Sequence, residues 1–240
     1  MRLALATMWV LAGCAINGSL YWLFLNTPES TVWALGASAV LLLVMTMIDA
    51  LTVTGAMTIW AGGLSRSGVT RAVRAIPAIV PAALIVLLLW WITLRGETWV
   101  AMRNGQINAW FIARFGWADM SWLFTAVHYA ALWIRWVVAT MLALSLIAGF
   151  VAAGARGVTQ LSWLKRALRP RTLIVASLWF GALIALPWNY LVPWRPAALP
   201  ATSIELVFIA GKLSIAAILF AMAVALMIRE AAGNKEQLQL

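Results

Sequence analysis

Four ionisable side chains stand inside otherwise apolar stretches of this sequence: Asp49, His128, Arg135 and Lys212. Placing a charge at the centre of a membrane helix costs about 2.5–3.5 kcal/mol or more unless it is paired or wet. These groups are therefore the best placed to bind an ion, hold an opposite charge or pass a proton. Counting about 1.5 Å per residue inward from the outer end of each predicted helix puts His128 about 8 Å deep, Lys212 about 13 Å, Arg135 about 18 Å and Asp49 about 25 Å. Arg135 and Asp49 differ by about one helical turn on that scale, and Thr46 and Thr52 flank Asp49 on its own face. The spacing predicts an intramembrane Asp49–Arg135 ion pair assisted by those hydroxyls, with either an architectural role or a gating or proton-coupled one.

Other polar groups follow the same periodicity. His128 and Arg135 are two turns apart on one face, as are Glu205 and Lys212. Asn17, one turn from Gly13, and Asn189, beside Pro187, fall in the same half of their helices. Together the seven residues would line a polar pathway with a cationic floor. A plainer reading competes: Glu205 caps the start of its helix, and Lys212 answers a backbone carbonyl or a neighbouring carboxylate.

Several chemistries are excluded. A single histidine, a single cysteine and no clustered acids leave no zinc or di-iron constellation and no bis-histidine haem within one chain. No phosphate loop, nucleophile elbow or dinucleotide fingerprint is present. No catalytic residue, metal ligand or cofactor is assigned, and the balance points away from an enzyme.

The elements that position these groups are apolar runs of about twenty residues or more, each long enough to cross about 30 Å of hydrocarbon. They fall at residues 3–25, 32–61, 76–94, 122–153, 173–191 and 204–228. With 65% hydrophobic and 10% charged residues over 240 positions, the chain lies far from the soluble average of about 45–50% apolar and about 25% charged. The fold class is an all-α integral membrane bundle of six transmembrane helices, one polytopic domain over residues 1–240. The intervening stretches 95–121 and 154–172 are too short to bury a core of their own. The second and fourth runs exceed one crossing and should tilt or extend into the interface. Pro77 and Pro81 in the third and Pro187 in the fifth predict kinks.

The formal charge of +10, from 17 basic and 7 acidic residues, would suggest nucleic acid in a soluble protein. Here most cations flank apolar runs, which points to anionic headgroups at the cytoplasmic face and to no nucleic acid. Arg66, Arg71 and Arg74 follow the second run; Arg156, Lys165, Arg166, Arg169 and Arg171 follow the fourth. Both linkers should be cytoplasmic, and with them both termini, consistent with Arg2, Arg229 and Lys235. A multi-pass protein of the bacterial inner membrane is expected, with the turn 26–30 outside.

Three stretches between the runs have helical amphipathicity and are expected to lie in the interface. In the first basic linker Val69, Val73 and Ile76 oppose Arg71 and Arg74; in the second Leu161, Leu164 and Leu168 oppose Lys165 and Arg169. On the outer side Ile107, Trp110, Phe111 and Phe115 share a face, and Trp99, Trp110, Trp117 and Trp122 suit an aromatic belt.

A weak repeat at an offset of 94 residues pairs Val44 with Val138, Met47 with Met141, Gly55 with Gly149, Gly63 with Gly157 and Arg71 with Lys165. Chance identity between apolar stretches competes with a parallel hairpin repeat of the transporter kind. Leu11-Ala12-Gly13-Cys14 spells a lipoprotein-signal box, but the apolar run continues to Leu25, so an uncleaved first helix with a buried thiol is expected.

The functional expectation is a membrane transport or translocation component for a small, lipid-like or anionic substrate, with membrane lipids and other membrane subunits as candidate partners. The alternative is a non-catalytic scaffold or accessory subunit of a larger membrane complex. The two differ in whether Asp49, Arg135 and Lys212 face an internal wet cavity or an intermolecular contact.

Overall fold

The computed structural model describes residues 1–27, 31–61, 70, 73–74, 76–116, 121–159, 161–195 and 202–233. Residues 28–30 of the predicted outer turn, and Gly63, Arg66, Val69, Arg71, Trp117 and Lys235, lie outside them. Among the described residues all regular structure is helical. The helices are α1 (Arg2–Leu25), α2 (Val32–Ala61), α3 (Ile79–Met102), α4 (Asn104–Phe115) and α5 (Ser121–Trp133), then α6 (Ala139–Ala153), α7 (Ala155–Thr159), α8 (Ser162–Ala167), α9 (Pro170–Phe180) and α10 (Thr202–Ala232). Six helical stretches are long and apolar enough to cross a membrane.

The predicted boundaries hold within a few residues, with one exception. The third helix was expected to end at Leu94, where apolar residues give way to Arg95, Gly96 and Glu97, yet α3 runs on to Met102. Loss of hydropathy does not stop a helix whose backbone ladder remains intact. The polar turn is also knitted locally: Arg95 lies 5.8 Å from the Trp91 ring, Arg103 lies 4.5 Å from the Trp99 ring, and the Thr98 hydroxyl donates to the Leu94 carbonyl at 2.9 Å. This extension carries Glu97 on a helix rather than a loop. Beyond it α4 forms where the aromatic spacing predicted a helix and stops at Gly116, whose φ of 67° is left-handed. Trp110, Phe111 and Phe115 cluster edge to face on it, and none of its residues is buried.

Prolines act through turn geometry. Pro77 sits in a 3₁₀ turn, Ile76–Ala78, that opens into α3. After α9 the helix widens into π turns at Gly181–Ala185 and Pro187–Leu191, with the Val192 N–H donating to the Pro187 carbonyl at 3.0 Å. A third π turn, Ile134–Val138, joins α5 to α6 and carries Arg135.

The core lies towards the end of the bundle where α1 begins and α10 finishes. Buried there are Ala6 and Val10 of α1, Met57 and Ile59 of α2, Met141, Leu144 and Ile147 of α6, and Ala221, Ala225 and Ile228 of α10. The α5–α6 helix is the axis, with more of its apolar length buried than in any of the other five long helices. α1 packs on α2 and α10, α3 on α5 and α6, and α10 also on α6 and α9. Cross-ties fix this end. Arg2 donates to the Trp60 carbonyl at 3.3 Å, Trp60 Nε1 to Ala225 at 3.0 Å, and Arg166 to Ala231 at 3.4 Å, while Arg229 lies 5.4 Å from the Trp60 ring. Arg166 thereby serves the orphan carbonyls of a helix end. Burial, together with the nearby Arg169, lowers its pKa. At the opposite end large apolar side chains such as Trp22, Trp33, Trp99, Trp188 and Val207 are exposed.

Two expectations change. The second basic linker was read as presenting Leu161, Leu164 and Leu168 to lipid, but α7 and α8 tuck back onto α6 with Trp163 and Ala167 buried. Leu164 joins that packing while Leu161 and Leu168 stay exposed, so the apolar face is divided between protein and surroundings. Gly157 permits the return: a Cβ there would strike the Gly149 carbonyl oxygen. The Cys14 thiol, expected to be buried, is exposed. Its neighbour Gly13 faces Thr52 of α2, and about 100° of rotation per residue turns Cys14 away from that contact.

Candidate functional site

Arg135, 7% exposed, projects from the π turn Ile134–Val138 toward α3. The extra residue of such a turn re-aims side chains, and π turns recur at functional sites. Arg135 Nε donates to Thr93 Oγ1 at 2.8 Å, and Nη2 donates to Glu97 Oε2. Thr93 and Glu97 are one turn apart on α3, so one helical face meets both edges of the guanidinium. The other carboxylate oxygen, Oε1, lies 2.8 Å from His128 Nδ1, which donates to it when that nitrogen carries the proton. Glu97 is thus shared between a buried cation and an imidazole that is 58% exposed, while being itself 21% exposed. Trp90 completes the setting, its ring 5.9 Å from the guanidinium and edge-on to Trp136 at 5.4 Å.

The predicted Asp49–Arg135 pair is therefore replaced by Glu97–Arg135. Asp49 instead accepts from Asn17 Nδ2 at 2.5 Å, and that amide also reaches the Met45 carbonyl at 3.3 Å. Thr46 and Thr52, expected to assist Asp49, donate to their own helix at Leu42 and Ile48, 2.8 and 2.7 Å away. Asp49 lies exposed on the surface of the α1–α2 pair and has no ion-pair partner among the described residues.

Lys212 is 7% exposed and follows the plainer reading. Its Nζ donates to the carbonyls of Val192 and Trp194 at 2.7 Å each and lies 5.1 Å from the Phe208 ring. Those carbonyls are left over where the fifth long helix ends, and the ammonium closes that end. Glu205 faces Arg195 at 4.0 Å with both side chains well exposed. Asn189 donates to Ala185 of its own helix at 2.8 Å.

The seven predicted residues thus divide into separate local groups. His128 and Arg135 meet through Glu97, Asn17 meets Asp49, and Lys212, Glu205 and Asn189 each have their own neighbours. Glu97 and Thr93 were missed by sequence reasoning. The signal that finds them is their one-turn spacing, matched to the two-turn spacing of His128 and Arg135. Among the described residues no group of three or more His, Cys, Asp or Glu is placed to hold a metal ion. Compared with known protein families, with curated proteins and with solved structures, the chain matches none.

Proposed function

We propose that the chain is a multi-pass protein of the bacterial inner membrane with both termini cytoplasmic, and that it is a transport or translocation component for a small, lipid-like or anionic substrate. Anionic headgroups would meet the basic linkers at the cytoplasmic face. The observation that carries the reading is the Glu97–Arg135–His128 cluster, a buried cation held by a carboxylate whose second oxygen contacts an exposed imidazole. Ionisable groups inside membrane helices mark substrate and ion pathways by default. In this reading His128 is the first group an approaching phosphate meets. Glu97 occupies Arg135 in the resting state, and the anion then competes for the guanidinium.

The test is reconstitution into phospholipid vesicles with a fluorescent phosphatidylglycerol analogue and inorganic phosphate as probes, and a phosphatidylcholine analogue as the neutral control. The expected result is faster movement of an anionic probe than in protein-free vesicles, lost in Arg135→Gln. Background rates for both anionic probes would overturn the transport reading.

A second reading, an accessory subunit of a larger membrane complex, is favoured by one separate observation: Asp49 faces outward from the bundle rather than into it. It predicts that the reconstituted chain alone moves neither probe.

A further inference from the structure

The α1–α2 surface presents a carboxylate that the bundle does not neutralise. Asp49 lies within the second membrane-length helix, exposed, with Asn17 as its hydrogen-bonding side chain. An amide supplies a donor but no charge. Leu42, Thr46 and Asp49 follow one another at one-turn spacing on α2, opposite Cys14, Asn17 and Tyr21 on α1, and all but Asn17 are exposed. In hydrocarbon a lone carboxylate on such a face is costly, and an opposite charge from a neighbouring helix offsets that cost.

Among the described residues no cation of the chain pairs with Asp49. Arg135 is committed to Glu97 and Thr93, and Lys212 to two carbonyls and the Phe208 ring. Both are nearly buried, so a second copy would not offer either of them at its surface. Asp49 stands 12 residues from the end of α2 at Ala61, about 18 Å along the axis and therefore well inside the bilayer.

We infer that this surface docks a transmembrane helix of a different polypeptide carrying a Lys or Arg at the depth of Asp49. The contact is a buried carboxylate–cation pair, flanked by Asn17 and Thr46 and by apolar packing on Leu42 and Tyr21. The inference rests on the membrane reading but not on transport.

The experiment places the donor-labelled chain, carrying Cys14→Ser and Asn104→Cys, in vesicles. Acceptor-labelled Leu-rich membrane peptides carry Lys, Gln or Leu at their centre. Retention of the chain in the vesicles after alkaline carbonate tests membrane integration separately, so failure there removes the membrane reading itself. With the chain integrated, energy transfer should show the Lys peptide binding about tenfold more tightly than the Leu peptide. Asp49→Asn should remove that preference, while Asp49→Glu and Glu205→Gln should keep it. Equal transfer to all three peptides in the labelled chain that keeps Asp49 would overturn the inference without depending on how any Asp49 variant folds. So would self-association of two differently labelled copies that disappears in Asp49→Asn, since the occupant would then be the chain itself.

Discussion

At the scale of single residues, Glu97 is the group that joins two of the predicted residues. Its two oxygens serve Arg135 and His128, so removing it leaves a nearly buried guanidinium with the Thr93 hydroxyl and the Trp90 ring but no opposite charge among the described residues. Breaking a buried pair from one side costs about 3–5 kcal/mol, and the partial exposure of Glu97 should place this case at or below the lower end of that range. Glu97→Gln and Arg135→Gln should each lower the thermal midpoint in detergent, and the double variant should recover part of the loss. The same cycle run between Asp49→Asn and Arg135→Gln should be additive, because those side chains have different partners. Coupling of the second pair with additivity of the first would reverse the assignment. What could be read in advance follows from this contrast. The His128–Arg135 spacing and the carbonyl role of Lys212 are local and follow from periodicity and helix-end chemistry. The choice between Asp49 and Glu97 depends on which helices pack together, and single-helix depth counting carries no information about that.

At the scale of elements, the α1–α2 contact is set by small residues facing large ones. Trp9 Nε1 donates to the carbonyls of Leu51 and Thr52 at 3.3 and 3.1 Å, and its ring covers Gly55 so closely that a Cβ there would come within 2.5 Å of Nε1. Helix association without a hydrophobic driving force depends on such close approach. Gly55→Val should therefore push α1 from α2 and cost about 1–3 kcal/mol, the usual range for overpacking. Gly36→Val, where open space surrounds the position, should have little effect. Thermal denaturation of both variants in detergent separates the two cases, and equal midpoints would show that the contact contributes nothing. Hydropathy located all six long helices, but it misplaced the end of α3 because Arg95 to Thr98 are polar yet remain helical. It was also silent on the π turn at Arg135, which has no proline to announce it.

At the scale of the whole molecule, the fold brings the start of α1, the end of α2, the α7–α8 linker and the end of α10 to one end, while α4 follows α3 at the other. That arrangement follows from an even number of crossings and says nothing about which end faces the cytoplasm. The side is set by charge: short loops rich in Lys and Arg stay inside. Lys165, Arg166, Arg169 and Arg171 lie at the terminal end, whereas α4 and its edges carry Arg103 and Arg114, so the asymmetry is real though not absolute. Replacing Cys14 by Ser removes the only native thiol and leaves a background for single cysteines. A cysteine at Ser162, exposed at the start of α8, should resist an impermeant thiol reagent in intact cells and react after permeabilisation. One at Asn104, exposed at the start of α4, should react in both. The opposite pattern would invert the bundle, placing the His128 side of the cluster towards the cytoplasm and the basic linkers outside. Equal reaction at both positions in intact cells would argue against a membrane-spanning arrangement altogether, because only a bilayer between the two ends can separate them.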